Sequence, residues 1–413
     1  MARYVPPHRR NAATAAIPHV APSVEPPQIN KVLPGHMDFF HLHLYNSSLL
    51  LRSLHNLKDE FENDPNVERM FVSNRAHSAN VTAATTPKES GPAVSSSHFA
   101  NQFRGAMDEV DKQTGGKLRG CVNHFLDLGS APGGFSRWIL ENNDDAVGMG
   151  VTLPLEMGGL PMVMEGVLGE MNRYTSLYRD VTENPESIRF VSPCHTDPPD
   201  VGCDLVIAGS IYRDHSTADP SRLGPPPLQV RSRQLLSFSQ LLAALTNLGE
   251  NGTLIIVSNM KPQLQNLEIL CFLHEYFTEL VPVKPKGVHT IRSSYYLVAL
   301  GYNREKSLQM NVLERLSIAV DRIQAADEEK GVQGLLVLEG TEASIVEKWG
   351  DYALKFYQPL WESQLQALER KLARLRSERN GAERGKNGRG SGSGEGDNGA
   401  WRFSRERPKK QWG

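Results

Sequence analysis

Residues 127–135 read DLGSAPGGF. A carboxylate sits near the end of an apolar run, His124–Leu128, and a glycine follows the run at once. A proline and a glycine pair come next, and from Gly134 to Asn142 the apolar spacing becomes helical. A side chain at Gly129 would keep a ligand off the backbone there, and Gly133 and Gly134 let the first amides of the helix face that ligand. Such a turn can seat a cofactor across the carboxyl end of a central strand, although a purely structural strand-to-helix turn has the same outline. The spacing is G-x-x-x-G-G, not the G-x-G-x-x-G of nicotinamide binders, and no G-K-[ST] follows as in a P-loop.

The elements that position this turn alternate. Strand patterns fall at His124–Leu128, Ala146–Val151, Asp204–Ala208, Thr253–Val257 and Tyr295–Leu300, and helix patterns at Gly134–Asn142, Leu228–Leu248 and Gln265–Phe277. Alternation of this kind predicts an α/β fold with an open, mostly parallel twisted sheet and helices on both faces. Long connections around 154–172 and 191–202 lie where such sheets carry binding surfaces. The expected organisation is a disordered arm (1–35), a helical extension with a flexible loop at 74–97 (36–112), the α/β domain (113–304), a helical region (305–376) and a Gly-rich basic tail (377–413). Within the helical parts, Leu50, Leu54, Leu57 and Phe61 mark a helix over 38–71, and another is predicted over 98–112. LLVLEG at Leu335–Gly340 reads as a short strand. Tyr357, Trp361, Leu365, Leu368, Leu372 and Leu375 form one apolar stripe, better suited to packing on its own domain than to a coiled coil of under three heptads.

The form D-x-G-x-x-P-G-G-[FW] resembles the first motif of S-adenosylmethionine-dependent methyltransferases, and among them the FtsJ-type RNA ribose 2′-O-methyltransferases. YRDVT at Tyr178–Thr182, CDLVIAGS at Cys203–Ser210, NGTLIIV at Asn251–Val257 and VKPKGVHTIRSSYYLVALGY at Val283–Tyr302 are similar to later family segments in order and spacing. GMGVTLP…GG at Gly148–Gly159 is similar to a fungal branch. The resemblance covers about residues 100–303 and implies a Rossmann-like methyltransferase fold. It assigns the cofactor to Asp127, Gly129, Ser130, Ala131, Pro132, Gly133, Gly134 and Phe135, with Asp180 at the adenine amino group.

The family's reaction removes a proton from a poor nucleophile, the ribose 2′-hydroxyl, and a lysine held among carboxylates suits that task. The resemblance implies a Lys-Asp-Lys-Glu set drawn from four segments. In this chain the first lysine position lies near Asp108, between Arg104 and Lys112. The aspartate, second lysine and glutamate positions carry Gly209, Val257 and Ser294. Asp214, Lys261 and Lys284 are the alternative candidates for catalysis. The second strand also ends without the acidic residue that the family offers to the cofactor ribose, since Val151 and Thr152 stand there and Glu156 comes later. Two readings follow: an FtsJ-like methyltransferase with its proton-handling set missing or relocated, and an inactive fold that binds RNA or protein.

Composition sets the surroundings. The net charge of −2 hides a basic end, with 13 Lys/Arg against 6 Asp/Glu from Glu369 to Gly413. Trp401, Phe403 and Trp412 in that tail could stack on single-stranded RNA. Arg213, Arg231, Arg233, Lys284, Lys286 and Arg292 could line an RNA surface in the domain. YVPPHRR at Tyr4–Arg10 is similar to a short N-terminal motif of some DEAD-box RNA helicases. Four cysteines without a C-x-x-C pair suit thiols in a reducing compartment, and His36, His41 and His43 lack the partners of a metal site. No apolar run approaches a membrane span. A monomer in the cytoplasm or nucleus is expected.

Overall fold

The computed structural model describes residues 38–62, 94–163, 172–193, 202–212 and 230–387. Arg213, Asp214, Cys194, His36, the N-terminal arm, residues 74–93 of the expected loop and the tail beyond 387 lie outside the described residues, and 94–97, expected as the end of that loop, are helical instead.

Among the described residues three helices precede the sheet: α1 (Phe39–Ser47), α2 (Leu49–Glu62) and α3 (Val94–Gln113). Next come β1 (His124–Leu128), α4 (Gly134–Asn142), β2 (Val147–Thr152), β3 (Tyr174–Tyr178) and β4 (Cys203–Ala208). After these follow α5 (Val230–Asn247), β5 (Leu248–Asn259), α6 (Leu264–Tyr276), β6 (Phe277–Val283) and β7 (Ser294–Tyr302). The chain then continues through α7 (Arg304–Gln309), α8 (Val312–Gln324) and α9 (Glu342–Asn387). The sheet order is β3-β2-β1-β4-β5-β7-β6, parallel as far as β5 and antiparallel where β7 enters between β5 and β6. The order reverses direction at β1 and β4, and at such a switch point the strand ends diverge and leave a crevice.

Each central strand is apolar on both faces because helices cover both. In β1, Phe125 packs with Phe135, Trp138 and Ile139 of α4 and with Met107 and Val110 of α3. Leu126 and Leu128 face the opposite layer, with Leu241, Leu242 and Leu245 of α5. The same layer includes Leu267 and Leu270 of α6 and Tyr357, Leu360 and Trp361 of α9. The apolar stripe of α9 therefore belongs to this chain's own core.

The expected fold class holds, and several elements differ from the sequence reading. Ser48 interrupts the first helical pattern: its backbone is extended and its hydroxyl accepts from Leu51 N–H, splitting α1 from α2. The sheet also gains β6, which follows α6 without an intervening residue. Leu335–Gly340 is not a strand. The N–H groups of Leu336, Val337 and Leu338 all donate to Oε1 of the buried Glu268, at 2.6, 2.6 and 2.9 Å. Those amides converge on one carboxylate and are unavailable to a ladder. The last helix runs to Asn387, past the expected end at Arg376.

Candidate cofactor and acceptor site

The turn after β1 crosses the carboxyl edge of the sheet at the switch point. Gly129 has φ +90° and Gly133 φ +101°, a region that favours glycine. A Cβ on Gly129 would lie 2.5 Å from Ser210 N and 2.6 Å from Ser210 Oγ, at the end of β4. A Cβ on Gly134 would lie 2.2 Å from Ala100 O of α3. These two glycines are thus required by close approach of the chain to itself, before any ligand is considered. The Ala131–Pro132 peptide is cis. Gly133 is the N-cap of α4 and supplies no side-chain oxygen to it, so the first turn of the helix is left to other partners.

One of those partners is Asp127. Ser136 in the first turn of α4 donates its hydroxyl to Asp127 Oδ2 at 2.7 Å and lies 3.2 Å from the Tyr174 hydroxyl. Asp127 is fully buried, and burial pushes its carboxyl up to about 7 against the opposing pull of the Ser136 bonds. Its Oδ1 is buried without a hydrogen-bond partner. An unsatisfied carboxylate oxygen beside a helix N-terminus suits a zwitterionic amino-acid group, whose ammonium meets the carboxylate and whose carboxylate meets the amides. The methionine end of S-adenosylmethionine is such a group, so the residues present fit it. Ser130, Pro132 and Phe135 are buried and Ala131 is partly exposed. Asp180, beyond β3, accepts the N–H and hydroxyl of Thr182 on Oδ1, both at 2.8 Å. Ser136, Tyr174 and the Ser210–Gln240 pair escaped the sequence reading. Gln240 of α5 accepts Ser210 N–H at 2.8 Å and donates to Ser210 O at 3.0 Å, fixing the chain just past Gly209.

Val257 stands opposite Tyr296, and Asn259 opposite Ser294, in the β5–β7 ladder. Gly209 extends β4, and a Cβ there would be 3.4 Å from Leu128 O and 3.6 Å from Phe135 Cε2. Asp108 is spent elsewhere, accepting Trp138 Nε1 at 2.7 Å and Arg119 at 3.0 Å. Arg104 pairs with Glu141 at 2.6 Å, and Lys112 is exposed.

Lys284 is buried, and desolvation lowers its ammonium to about 7. Its Nζ donates to Arg292 O at 2.7 Å and Ser294 O at 3.0 Å, pinning the β6–β7 connection. Lys261 is exposed beyond β5. Of the six basic groups, Arg213 lies outside the described residues, and the other five do not form one surface. Arg231 is bound to Glu328 at 2.5 Å, Arg233 lies 5.9 Å from the centre of the Tyr212 ring, and Lys284 is internal. Lys286 and Arg292 are exposed. Among the described residues no group of three metal-ligating side chains occurs, and no helix is long and apolar enough to cross a membrane.

Comparison with known proteins bears on residues 106–302, which match the family model described as FtsJ-like methyltransferase. No curated protein matches the chain. Among solved structures, a Plasmodium falciparum protein assigned as a ribosomal RNA methyltransferase is 16% identical, with a TM-score of 0.30. That match covers 48% of this chain and 96% of the other. An O-methyltransferase family protein of Burkholderia thailandensis is 11% identical at TM-score 0.31, with coverage of 57% and 71%. An rRNA methylase of Streptococcus thermophilus is 9% identical at TM-score 0.30, with coverage of 50% and 97%. At such values the structures add nothing to the assignment, which rests on the family match and on the seven-stranded order with β7 inserted antiparallel. Residues 106–302 of this chain are thus an FtsJ-like methyltransferase domain by their family match, and the cofactor that such a domain implies is S-adenosylmethionine.

Proposed function

We propose that this protein binds S-adenosylmethionine on the turn from Gly129 to Gly134, works on RNA, and does so without the Lys-Asp-Lys-Glu proton-handling set of its family. When bound, the cofactor supplies an electrophilic methyl group. In this reading Asp127 meets its ammonium, the first amides of α4 meet its carboxylate, and Asp180 accepts from the adenine amine. Ser136 and Tyr174 keep the Asp127 carboxyl in place, and the Gln240 amide holds Ser210 against Gly129.

What supports the proposal is that the positions to which the resemblance assigns the aspartate, second lysine and glutamate carry Gly209, Val257 and Ser294, and that Asp108, near the first lysine position, is committed to Trp138 and Arg119. A hydroxyl, an isopropyl group and a bare backbone cannot lower the barrier for removing a ribose proton by the usual general-base factor of about 10²–10⁴. An RNA-directed role suits the cytoplasm or nucleus and a chain acting as a monomer. Calorimetry with S-adenosylmethionine should give a one-site isotherm that Gly133→Asp abolishes. Labelled methyl transfer to bulk RNA should give no 2′-O-methylated nucleoside, and robust formation of one would overturn the proposal.

A further inference from the structure

The places emptied of acids and bases are lined by rings instead. Phe135, in the first turn of α4, reaches within van der Waals distance of the Gly209 position. Tyr296, opposite Val257, meets the edge of the Phe135 ring at 5.8 Å between centroids. On the other side Phe103 of α3 packs on Phe135 at 5.2 Å, and Phe99, one turn earlier, stacks on Phe103 at 6.5 Å. Phe135 and Tyr296 are buried, but Phe99 and Phe103 keep part of their surface in solvent. A Cβ on Gly134 would be 3.0 Å from Phe103 Cβ, so this ring borders the cofactor turn.

Two segments at the same edge carry only basic charged side chains. The segment from Met260 to Gln263 after β5 carries Lys261, and the stretch from Lys284 to Tyr296 carries Lys284, Lys286 and Arg292, with no Asp or Glu in either. Lys261, Lys286 and Arg292 are exposed. The second segment is tied to α3, since Lys286 N–H donates to Glu109 Oε1 at 2.9 Å. It also meets the ring wall, because His289 Nε2 lies 3.3 Å from the Tyr296 hydroxyl.

We infer that the acceptor side of this site seats an unpaired nucleobase of single-stranded RNA on Phe103 and Phe99, with the flanking phosphates met by Lys261, Lys286 and Arg292. A face of planar rings beside three cations matches a base and its backbone. Base-on-ring stacking is the sequence-tolerant part of such binding, worth about 1–3 kcal/mol per base. The inference deepens the RNA reading and rests on it, but it needs no methyl transfer.

The test measures fluorescence anisotropy of the full chain, without cofactor, on labelled eight-nucleotide oligouridylate. A fully 2′-O-methylated copy should bind within about twofold, and an abasic copy of equal length should bind at least about tenfold more weakly. Phe103→Ala should lose about tenfold while Phe103→Trp retains binding, with a single cooperative melt well above the assay temperature as the check on folding. Lys286→Ala combined with Arg292→Ala should flatten the salt dependence for both base-bearing and abasic oligomers. Equal affinity for the abasic oligomer, undiminished binding by a folded Phe103→Ala, or a large loss on 2′-O-methylation would each overturn the inference. Absence of a calorimetric signal for S-adenosylmethionine would instead strike the cofactor proposal and leave this readout standing.

Discussion

Gly129 and Ser210 approach so closely that a single Cβ on the glycine would sit 2.5 Å from the serine's backbone nitrogen. The contact joins the end of β1 to the end of β4 across the switch point, and the Gln240 side chain clamps the serine from the far side.

Gly129→Ala should therefore cost stability as well as ligand binding. The new methyl group must displace Ser210 N, which Gln240 holds, and the backbone keeps φ near +90°. Strain of this kind costs about 1–3 kcal/mol. Urea titration should show the loss as a lower midpoint at unchanged slope. A midpoint equal to wild type would mean that the β1 and β4 ends are not packed as described.

Glu268 links α6 to the segment after α8. Glu268→Ala leaves the N–H groups of Leu336, Val337 and Leu338 without their shared acceptor in a buried place, and should cost at least about 3 kcal/mol. Glu268→Gln keeps an acceptor oxygen. Burial raises the carboxyl's pKa against the pull of the three amides, so its ionised form carries the cost as pH rises. The glutamine variant should gain on wild type as pH is raised, read from thermal melts. If alanine and glutamine behave alike, the amide cluster contributes nothing.

A fragment limited to residues 106–302 should not fold. That range contains the whole sheet and matches the family, yet it leaves out the helix that covers one sheet face. Tyr357, Leu360 and Trp361 are almost wholly buried against it, and Trp361 Nε1 donates to Met260 O at 3.2 Å just past β5. Gln364 donates to Ile291 O at 2.9 Å in the β6–β7 connection. Size exclusion should find the fragment aggregated, while a chain ending after Asn387 should elute as a folded species. A soluble, cooperatively melting fragment would show α9 to be an appendage.

How much of this was legible in the sequence depended on burial. β1, β2, β4 and β7 are buried on both faces and announce themselves as apolar runs. Beside them, β3 is an outer strand whose Leu177 and Tyr178 are exposed, so its pattern is weak, and only YRDVT pointed to it. The start of β6 was hidden because Tyr276 ends α6 and Phe277 begins the strand without a Gly or Pro between them. The cofactor turn was readable because its glycines are local. Tyr174, Gln240 and Glu268 act on partners 38, 30 and 68 or more residues away, and no spacing rule reaches that far.

Asp127 should make cofactor affinity depend on pH near neutrality. Its carboxyl titrates at about 7 in the bare chain because burial disfavours the charge. Only the ionised form attracts an ammonium, so affinity for S-adenosylmethionine should rise from pH 6 to pH 8, with proton release on binding near pH 7. Folding stability runs the other way. The folded pKa lies above the unfolded value of about 4, so the protonated folded form is favoured at low pH, and that contribution is lost as pH rises through about 7. Asp127→Asn removes both slopes, leaving a pH-flat affinity that is weaker at pH 8. Calorimetry in two buffers of different ionisation enthalpy reads the proton directly. Zero proton exchange in the wild type at pH 7 would show that Asp127 does not meet the cofactor's charge.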